Sequence, residues 1–474
     1  MGRNSRGGRF GNNPEFGNSH ENWRENVEHP YWNERDHSKS HVRPNGQPEL
    51  QIIDYYNLVD TPISENLEPT RDTRQTRAIT KSTQEVLVFA ESRNEAIIRP
   101  RGLTPSDVLE VSLVPVPCSE VRVGFDVGIW TFQHKFAWGS GFFAAKSGVL
   151  SEDAEPLLVS ATSHGEKQRM FMGVFDGMGG AGASLVDTGA DNGKKLTEAY
   201  RASRIARIEC LNFTIPKVVN GILGVGRDEI SGRDLTAHLQ NKMKEYAQKL
   251  GIGPGTSRIR GTLTKTLPTT LACADVSIER VYSGELRTQV RALWAGDSRI
   301  WVLTPSLGLQ QLTRDDVDIE DPLEQLRQDP PMTNVVSASI DFVLKDSMWT
   351  FSGPCVLIAA TDGVSGYVRS PDEVEHHILQ SFYLSETSGA PVARILNDTF
   401  SKIAHDDVSC VVTVVGFSGV TELNQVFSQR RREAEERYIS LNVDVSPEEF
   451  SQLVDNVWAG QRQRYCEKLQ GSRQ

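Results

Sequence analysis

A mixed sheet-and-helix domain of the α+β class is what the sequence predicts, from three observations. Short apolar runs recur between residues 121 and 418: RMFMGVF, QVRALWAG, RIWVLT, CVLIAAT and SCVVTVVGF. Helix-patterned stretches lie between them: KLTEAYRASRIARIE, RDLTAHLQNKMKEYAQKLG and PDEVEHHILQSFYL. The runs are apolar almost without interruption, which suits sheets covered on both faces.

In chain order, residues 1–48 are rich in Gly, Asn, Arg, His and Glu, with few aliphatics. Such a stretch buries too little surface to offset its ordering entropy, so a disordered tail is expected. Its SRGGRFG segment suits either a plain flexible tail or a brief contact with RNA, and the nearby acids leave little electrostatic pull on phosphates. Residues 49–120 read as an N-terminal extension packed on the main domain. TQEVLVFAES is expected as a strand. TPSDVLEVSL is expected as a helix, with Thr104 as N-cap and Pro105 at the first helical position. Residues 419–474 read as a charged helical extension, NQVFSQRRREAEERY and then SPEEFSQLVDNVWAGQ. Ser446 can cap the second helix, with Pro447 at its first position and Glu449 closing a capping box. Phe450, Leu453, Val454, Val457 and Trp458 form one apolar stripe. That stripe suits a helix docked on its own domain, or one that binds a protein partner.

Composition narrows the function classes. The chain has 474 residues, 38% of them hydrophobic, enough for one large core or two ordinary ones. A net charge of −11 argues against a general preference for nucleic acid. The six cysteines form no CxxC pair, so no zinc knuckle is expected, and scattered single thiols suit a reducing compartment. No apolar run approaches the ~18 residues of a membrane span. The N-terminus has no secretory apolar region, and MGRNSR has Arg6 where a myristoylation site wants Ser or Thr. The expectation is an intracellular protein, cytoplasmic or nuclear, with no membrane partner.

Four segments share one layout, an apolar strand meeting aspartate in a tight or polar turn. They are GVFDGMGG with Asp176, LWAGDSRIWVL with Asp297, LIAATDGVSG with Asp362, and IAHDDVSCVVTVV with Asp406 and Asp407 ahead of the strand. Each alone is an ordinary turn signal. Together they pose a problem: converging carboxylates repel, and a buried charge is costly unless paired. A divalent cation removes the conflict, and hard oxygen ligands suit Mg²⁺ or Mn²⁺. Glycines after Asp176 would let a backbone carbonyl approach such an ion closely.

In this order, the four segments resemble the metal-dependent serine/threonine phosphatases, the protein phosphatase 2C or PPM type. SGVLSEDAEPLL resembles that family's first motif, LPTTLACADV its Gly-Ser/Thr-Thr-Ala strand, and TNVVSASI a later segment. The resemblance covers 121–418, which would be the phosphatase domain. It implies a four-layer α-β-β-α sandwich of two mostly antiparallel sheets flanked by helices, with a two-metal centre at one end. Carried onto matching positions, Asp176 bridges two Mg²⁺ or Mn²⁺ ions. The Gly177 carbonyl and the Glu152 carboxylate, partly through water, serve one ion, and Asp362 and Asp406 serve the other. Asp297 matches a residue for a weak third ion. Asp176, Asp362 and Asp406 would be the catalytic set, and the implied reaction is hydrolysis of phosphoserine or phosphothreonine in a phosphoprotein by a metal-activated water.

The chain departs from the family pattern at several accessory positions. Met178 stands where many members carry a His that protonates the leaving oxygen, and a thioether cannot do so. Bacterial-type members often read Asp-Gly-Met-Gly-Gly, so Met178 is expected to pack, with water, His164 or His405 left to protonate. Gly148 stands where an Arg grips the phosphate, and nearby Lys146 offers charge without a bidentate fork. Gly366 replaces a usual Asp, and Asp407 a usual Asn. Retained ligands with eroded accessories suit an active, divergent phosphatase. They also suit a pseudophosphatase that binds phosphoproteins or partners without turnover. The acidic stretch 313–329 falls where the family has a flap beside the site. It would either favour basic phosphopeptides or be a solvated loop.

Overall fold

Strand residues point alternately to opposite faces, and here both faces are apolar. Along KQRMFMGVFDG, Met170, Met172 and Val174 enter one core while Phe171 and Phe175 enter another. A sheet built from such strands must be covered twice. The computed structural model describes strands at 86–92, 95–100 and 109–114, and residues 127–470 except 134, 147–149, 163–166, 187–195, 224–227 and 253–264. The expected tail at 1–48 lies outside the described residues.

The first sheet has eight strands in the order β1 (Val86–Ser92), β2 (Glu95–Pro100), β3 (Leu109–Val114), β6 (Ala154–Thr162), β7 (Lys167–Gly177), β10 (Thr269–Arg280), β11 (Leu286–Ala295) and β14 (Lys345–Ser352). The second has six, in the order β13 (Gly308–Gln311), β12 (Arg299–Thr304), β15 (Cys355–Ala360), β16 (Val408–Val415), β5 (Ala137–Ala144) and β4 (Val127–Gln133). Both sheets are antiparallel throughout. A short ribbon pairs β8 (Leu185–Val186) with β9 (Leu196–Thr197).

Three cores separate four layers. Between the sheets lie Met172, Val174, Ala272 and Ala274 with Ile300, Val302, Leu357 and Val411. Outside the first sheet, α1 (Glu198–Leu223) and α2 (Gly232–Lys249) bury Ala202, Ile205, Leu235 and Leu239 against Phe171, Phe175 and Leu271. Outside the second, α5 (Glu373–Ser388), α6 (Val392–Ile403) and α9 (Pro447–Tyr465) bury Ile378, Phe382, Leu396, Phe400 and Trp458 against Trp301, Ile358 and Val412. The fold is therefore the expected α+β sandwich of two antiparallel sheets flanked by helices. Short helices complete it: α3 (Pro322–Gln328), α4 (Asp362–Ser365), α7 (Val420–Val426), α8 (Ser428–Ser440) and α10 (Glu467–Gln470). Among the described residues, no helix is long and apolar enough to cross a membrane.

Two expectations need correction. Leu109–Val114, expected as helix, is a strand paired with β2 and β6. Its apolar Leu109, Val111 and Leu113 alternate with Glu110 and Ser112, a strand period that the helix-start signal obscured. Thr104 and Pro105 lie outside the described residues. The stretch NQVFSQRRREAEERY divides at Phe427, which is buried with its ring 5.8 Å from that of Phe417. Anchoring Phe427 turns the chain, so α7 and α8 are separate helices.

The capping box at Ser446 and Glu449 is formed. The apolar stripe of α9 is occupied by the chain's own core. Val454 and Trp458 are buried, and Phe450, Leu453 and Val457 pack against the same cluster. Trp458 Nε1 donates to Asp321 Oδ1 at 3.0 Å.

Candidate metal centre

Strand ends deliver the acidic residues. β7 ends in Asp176–Gly177, opposite Thr270 and Thr269 of β10. Asp297 lies in the bend between β11 and β12, and Asp362 opens α4 directly after β15 and Thr361. Asp406 and Asp407 precede β16, and Glu152 and Asp153 precede β6. Hydrogen bonds join these ends. Thr361 N donates to Ser409 O at 3.0 Å, Thr361 Oγ1 donates to Asp153 Oδ2 at 3.0 Å, and Glu152 N donates to Asp407 Oδ2 at 2.6 Å.

The carboxylates lie in one mutually repulsive field. Burial raises the proton affinity of Asp176 well above the usual range, and Asp153, Asp297 and Asp406 raise it further. Asp362 is raised by burial and then by Asp176, Asp297 and Asp406, with Arg299 opposing. Asp297 is pushed up to about 7 by burial and by Asp315, again against Arg299. Burial raises Glu152, while a hydrogen bond from Thr197 holds it down and Asp407 and Asp406 lift it. Asp406 stands at the solvent rim, raised by partial desolvation and lowered somewhat by Lys146. Arg299 is committed to Asp315, donating from Nη2 at 2.6 Å and from Nε at 3.0 Å. Asp297 Oδ1 is buried with no hydrogen-bond partner among the described residues.

This donor set is oxygen-only and its negative charge is under-compensated, which fits a hard divalent cation. Among the described residues, no three His, Cys, Asp or Glu side chains are gathered into a ready-made metal cage.

The glycines after Asp176 serve the acid opposite them. A side chain at Gly179 would overlap Glu152 Oε2. Its absence lets the Glu152 carboxylate lie over the bend and accept from Thr197 Oγ1 at 2.7 Å. Gly179→Ala is expected to leave the melting temperature within about 2 °C, because only a flexible carboxylate has to move. If these carboxylates hold a divalent cation, its affinity should fall roughly 10–100-fold, the usual loss when a ligand is mis-set. A melting curve and a Mn²⁺ titration on one preparation check both halves.

Met178 is half-buried and belongs to none of the three cores. Its carbonyl accepts from Gly182 N at 2.8 Å, which ties the turn. His405 is exposed, its ring edge-on to Tyr367 at 5.5 Å. His164 and Gly148 lie outside the described residues. Gly366 closes α4.

The acidic stretch 313–329 is largely used inside the protein. Asp315 holds Arg299. Asp316 accepts from Gly296 N at 3.0 Å and Asn334 Nδ2 at 2.6 Å, and pairs with Lys345. Asp321 caps α3 and pairs with Arg462 at 2.6 Å. Asp318, Glu320 and Asp329 remain exposed.

Two residues were missed by sequence reasoning. Asp153, fully buried, adds a carboxylate to the field, and its signal was only its place beside Glu152. Tyr367 lies beside the cluster, its phenol raised by burial and then by Asp406 and Asp362. Nothing in its sequence context marks it.

The two antiparallel sheets flanked by helices are the architecture that the motifs led one to expect. The chain resembles the PPM-type phosphatases. No family model and no curated protein matches it. Among solved structures it is similar to PppA, described as a key regulatory component of T6SS in Pseudomonas aeruginosa, at 14% identity over 61% of this chain and 97% of that one, TM-score 0.33. It is similar to the Mycobacterium tuberculosis serine/threonine phosphatase PstP/Ppp at 13% identity over 62% and 100%, TM-score 0.35. It is also similar to a phosphatase from a pathogenic strain of Toxoplasma gondii at 12% identity over 61% and 96%, TM-score 0.37.

Proposed function

We propose that this chain is a divalent-metal-dependent protein serine/threonine phosphatase, a phosphoric monoester hydrolase. The observation that carries this is the convergence of Glu152, Asp153, Asp176, Asp297, Asp362 and Asp406 in one under-compensated field at the strand ends. Asp176, Glu152, the Gly177 carbonyl, Asp362 and Asp406 would hold two Mg²⁺ or Mn²⁺ ions, with Asp297 toward a weaker third. Such ions supply a water acidic enough to attack phosphorus near neutral pH, and charge that offsets the phosphoryl oxygens.

The chain's own residues do the remaining work. Thr197 orients Glu152. Asp315 holds Arg299 beside Asp297 and Asp362, which limits their repulsion. Lys146 is exposed near Asp406 and supplies cationic charge at the entrance for a phosphate. The expected substrate is a phosphoserine or phosphothreonine protein.

A second reading, a pseudophosphatase that binds phosphoproteins without turnover, is favoured by Met178 at the bend and by the lack of a pre-gathered cage among the described residues. One experiment separates the two. A phosphate ester and a phosphothreonine peptide are offered to the full chain in Mn²⁺, in Mg²⁺ and in EDTA. Turnover in either metal, abolished by EDTA, supports the enzyme. Phosphopeptide binding without turnover in any metal supports the second reading.

A further inference from the structure

One residue behind the acidic cluster touches three of the segments that build it. Asp407 Oδ1 accepts the backbone N–H of Lys146 at 2.6 Å, and its Oδ2 accepts that of Glu152 at 2.6 Å. Its own N–H donates to Asp406 Oδ1 at 2.8 Å. Its carbonyl lies so close to Gly363 that any side chain there would overlap it, which seats the Asp362–Gly363 turn on the same residue. Asp407 is buried whereas Asp406 is exposed, and both of its carboxylate oxygens are engaged with backbone donors.

We infer that Asp407 is the positioning residue of this site, an inference that rests on the metal-dependent reading above. It sets Glu152, Asp362 and Asp406 relative to one another before any ion binds. Charge-assisted bonds from two N–H groups are short and directional. They also require two acceptors. Asparagine offers one oxygen, and its amide would turn N–H toward N–H. That is a physical reason for Asp at this position.

The test uses the full chain as wild type, Asp407→Asn and Asp407→Ala. Mn²⁺ affinity is measured by calorimetry, and hydrogen exchange at Lys146 and Glu152 is followed in metal-free protein. Exchange at these two amides should quicken in both variants, more in Asp407→Ala, with the rest of the chain unchanged. Mn²⁺ affinity should fall about 10–100-fold, as when a residue orienting a ligand is lost. Asp407→Asn carries the test if the alanine variant does not fold. Loosened amides with unchanged affinity would overturn the inference, reducing Asp407 to a structural tie. Lost affinity with protected amides would overturn it too, by making Asp407 a ligand. Wild type that binds no Mn²⁺ would instead sink the metal reading, and this role with it.

Discussion

Glu375→Ala is expected to destabilise the chain by about 3–5 kcal/mol, the cost of removing one partner from a buried ionic network. Glu375 is fully buried on α5. Its Oε1 accepts from Arg430 Nη2 at 2.7 Å, and its Oε2 accepts from Arg437 Nη2 at 3.2 Å and Arg464 Nη2 at 3.1 Å. Three cations from α8 and α9 thus share one carboxylate. Arg437 has a second acid, Asp372, at 3.0 Å. Burial lowers the proton affinity of Arg464, Glu375 opposes that, and Arg430 and Arg437 add to it. Without Glu375 the three guanidinium groups would face one another in a desolvated seam.

The effect should spread along α9. Trp301 Nε1 donates to Tyr465 Oη at 2.7 Å, so this helix is bonded to β12, the strand that follows Asp297. Urea denaturation of wild type and variant measures the loss. A difference under about 1 kcal/mol would mean that the network is no stronger than a surface ion pair.

Asp176→Asn should act in opposite directions on activity and on metal-free stability. In the proposed two-metal centre, losing the shared ligand would remove several kcal/mol of transition-state stabilisation, which is roughly a 10³-fold loss in turnover. The metal-free fold should become more stable by about 1 kcal/mol, the common trade at a site strained for function. The reason is that burial disfavours the charge at Asp176 and that Asp153, Asp297 and Asp406 repel it, and a neutral amide ends both penalties. Turnover in Mn²⁺ and a melting curve in EDTA read the two effects. Retained turnover, or a less stable metal-free variant, would contradict the role given to Asp176.

Legibility in the sequence followed the range of each interaction. The runs RMFMGVF, RIWVLT, CVLIAAT and SCVVTVVGF declared themselves as strands, because burial on both faces leaves few polar positions to blur the signal. The capping box at Ser446 was legible because its partners are three residues apart. LEVSLV was misread because a helix-start pattern precedes it, while its strand partners β2 and β6 come from elsewhere in the chain. The division at Phe427 depends on a ring contact with Phe417, which no helical periodicity reports.

By itself, then, the sequence determined a mixed sheet-and-helix domain, the main strands and helices, and which carboxylates stand at strand ends, since these follow from local pattern and burial; the sandwich was implied by the family resemblance. Only the tertiary structure decided which acids face one another and which are committed elsewhere. Asp315, Asp316 and Asp321 belong to a stretch that read as either substrate-facing or a solvated loop, and instead hold Arg299, Gly296, Asn334 and α3. Asp153, Tyr367 and Asp407 gained their places only when distant strand ends met. Electrostatic partners are chosen by proximity in space, and Asp407 reaches Glu152 across 255 residues of chain.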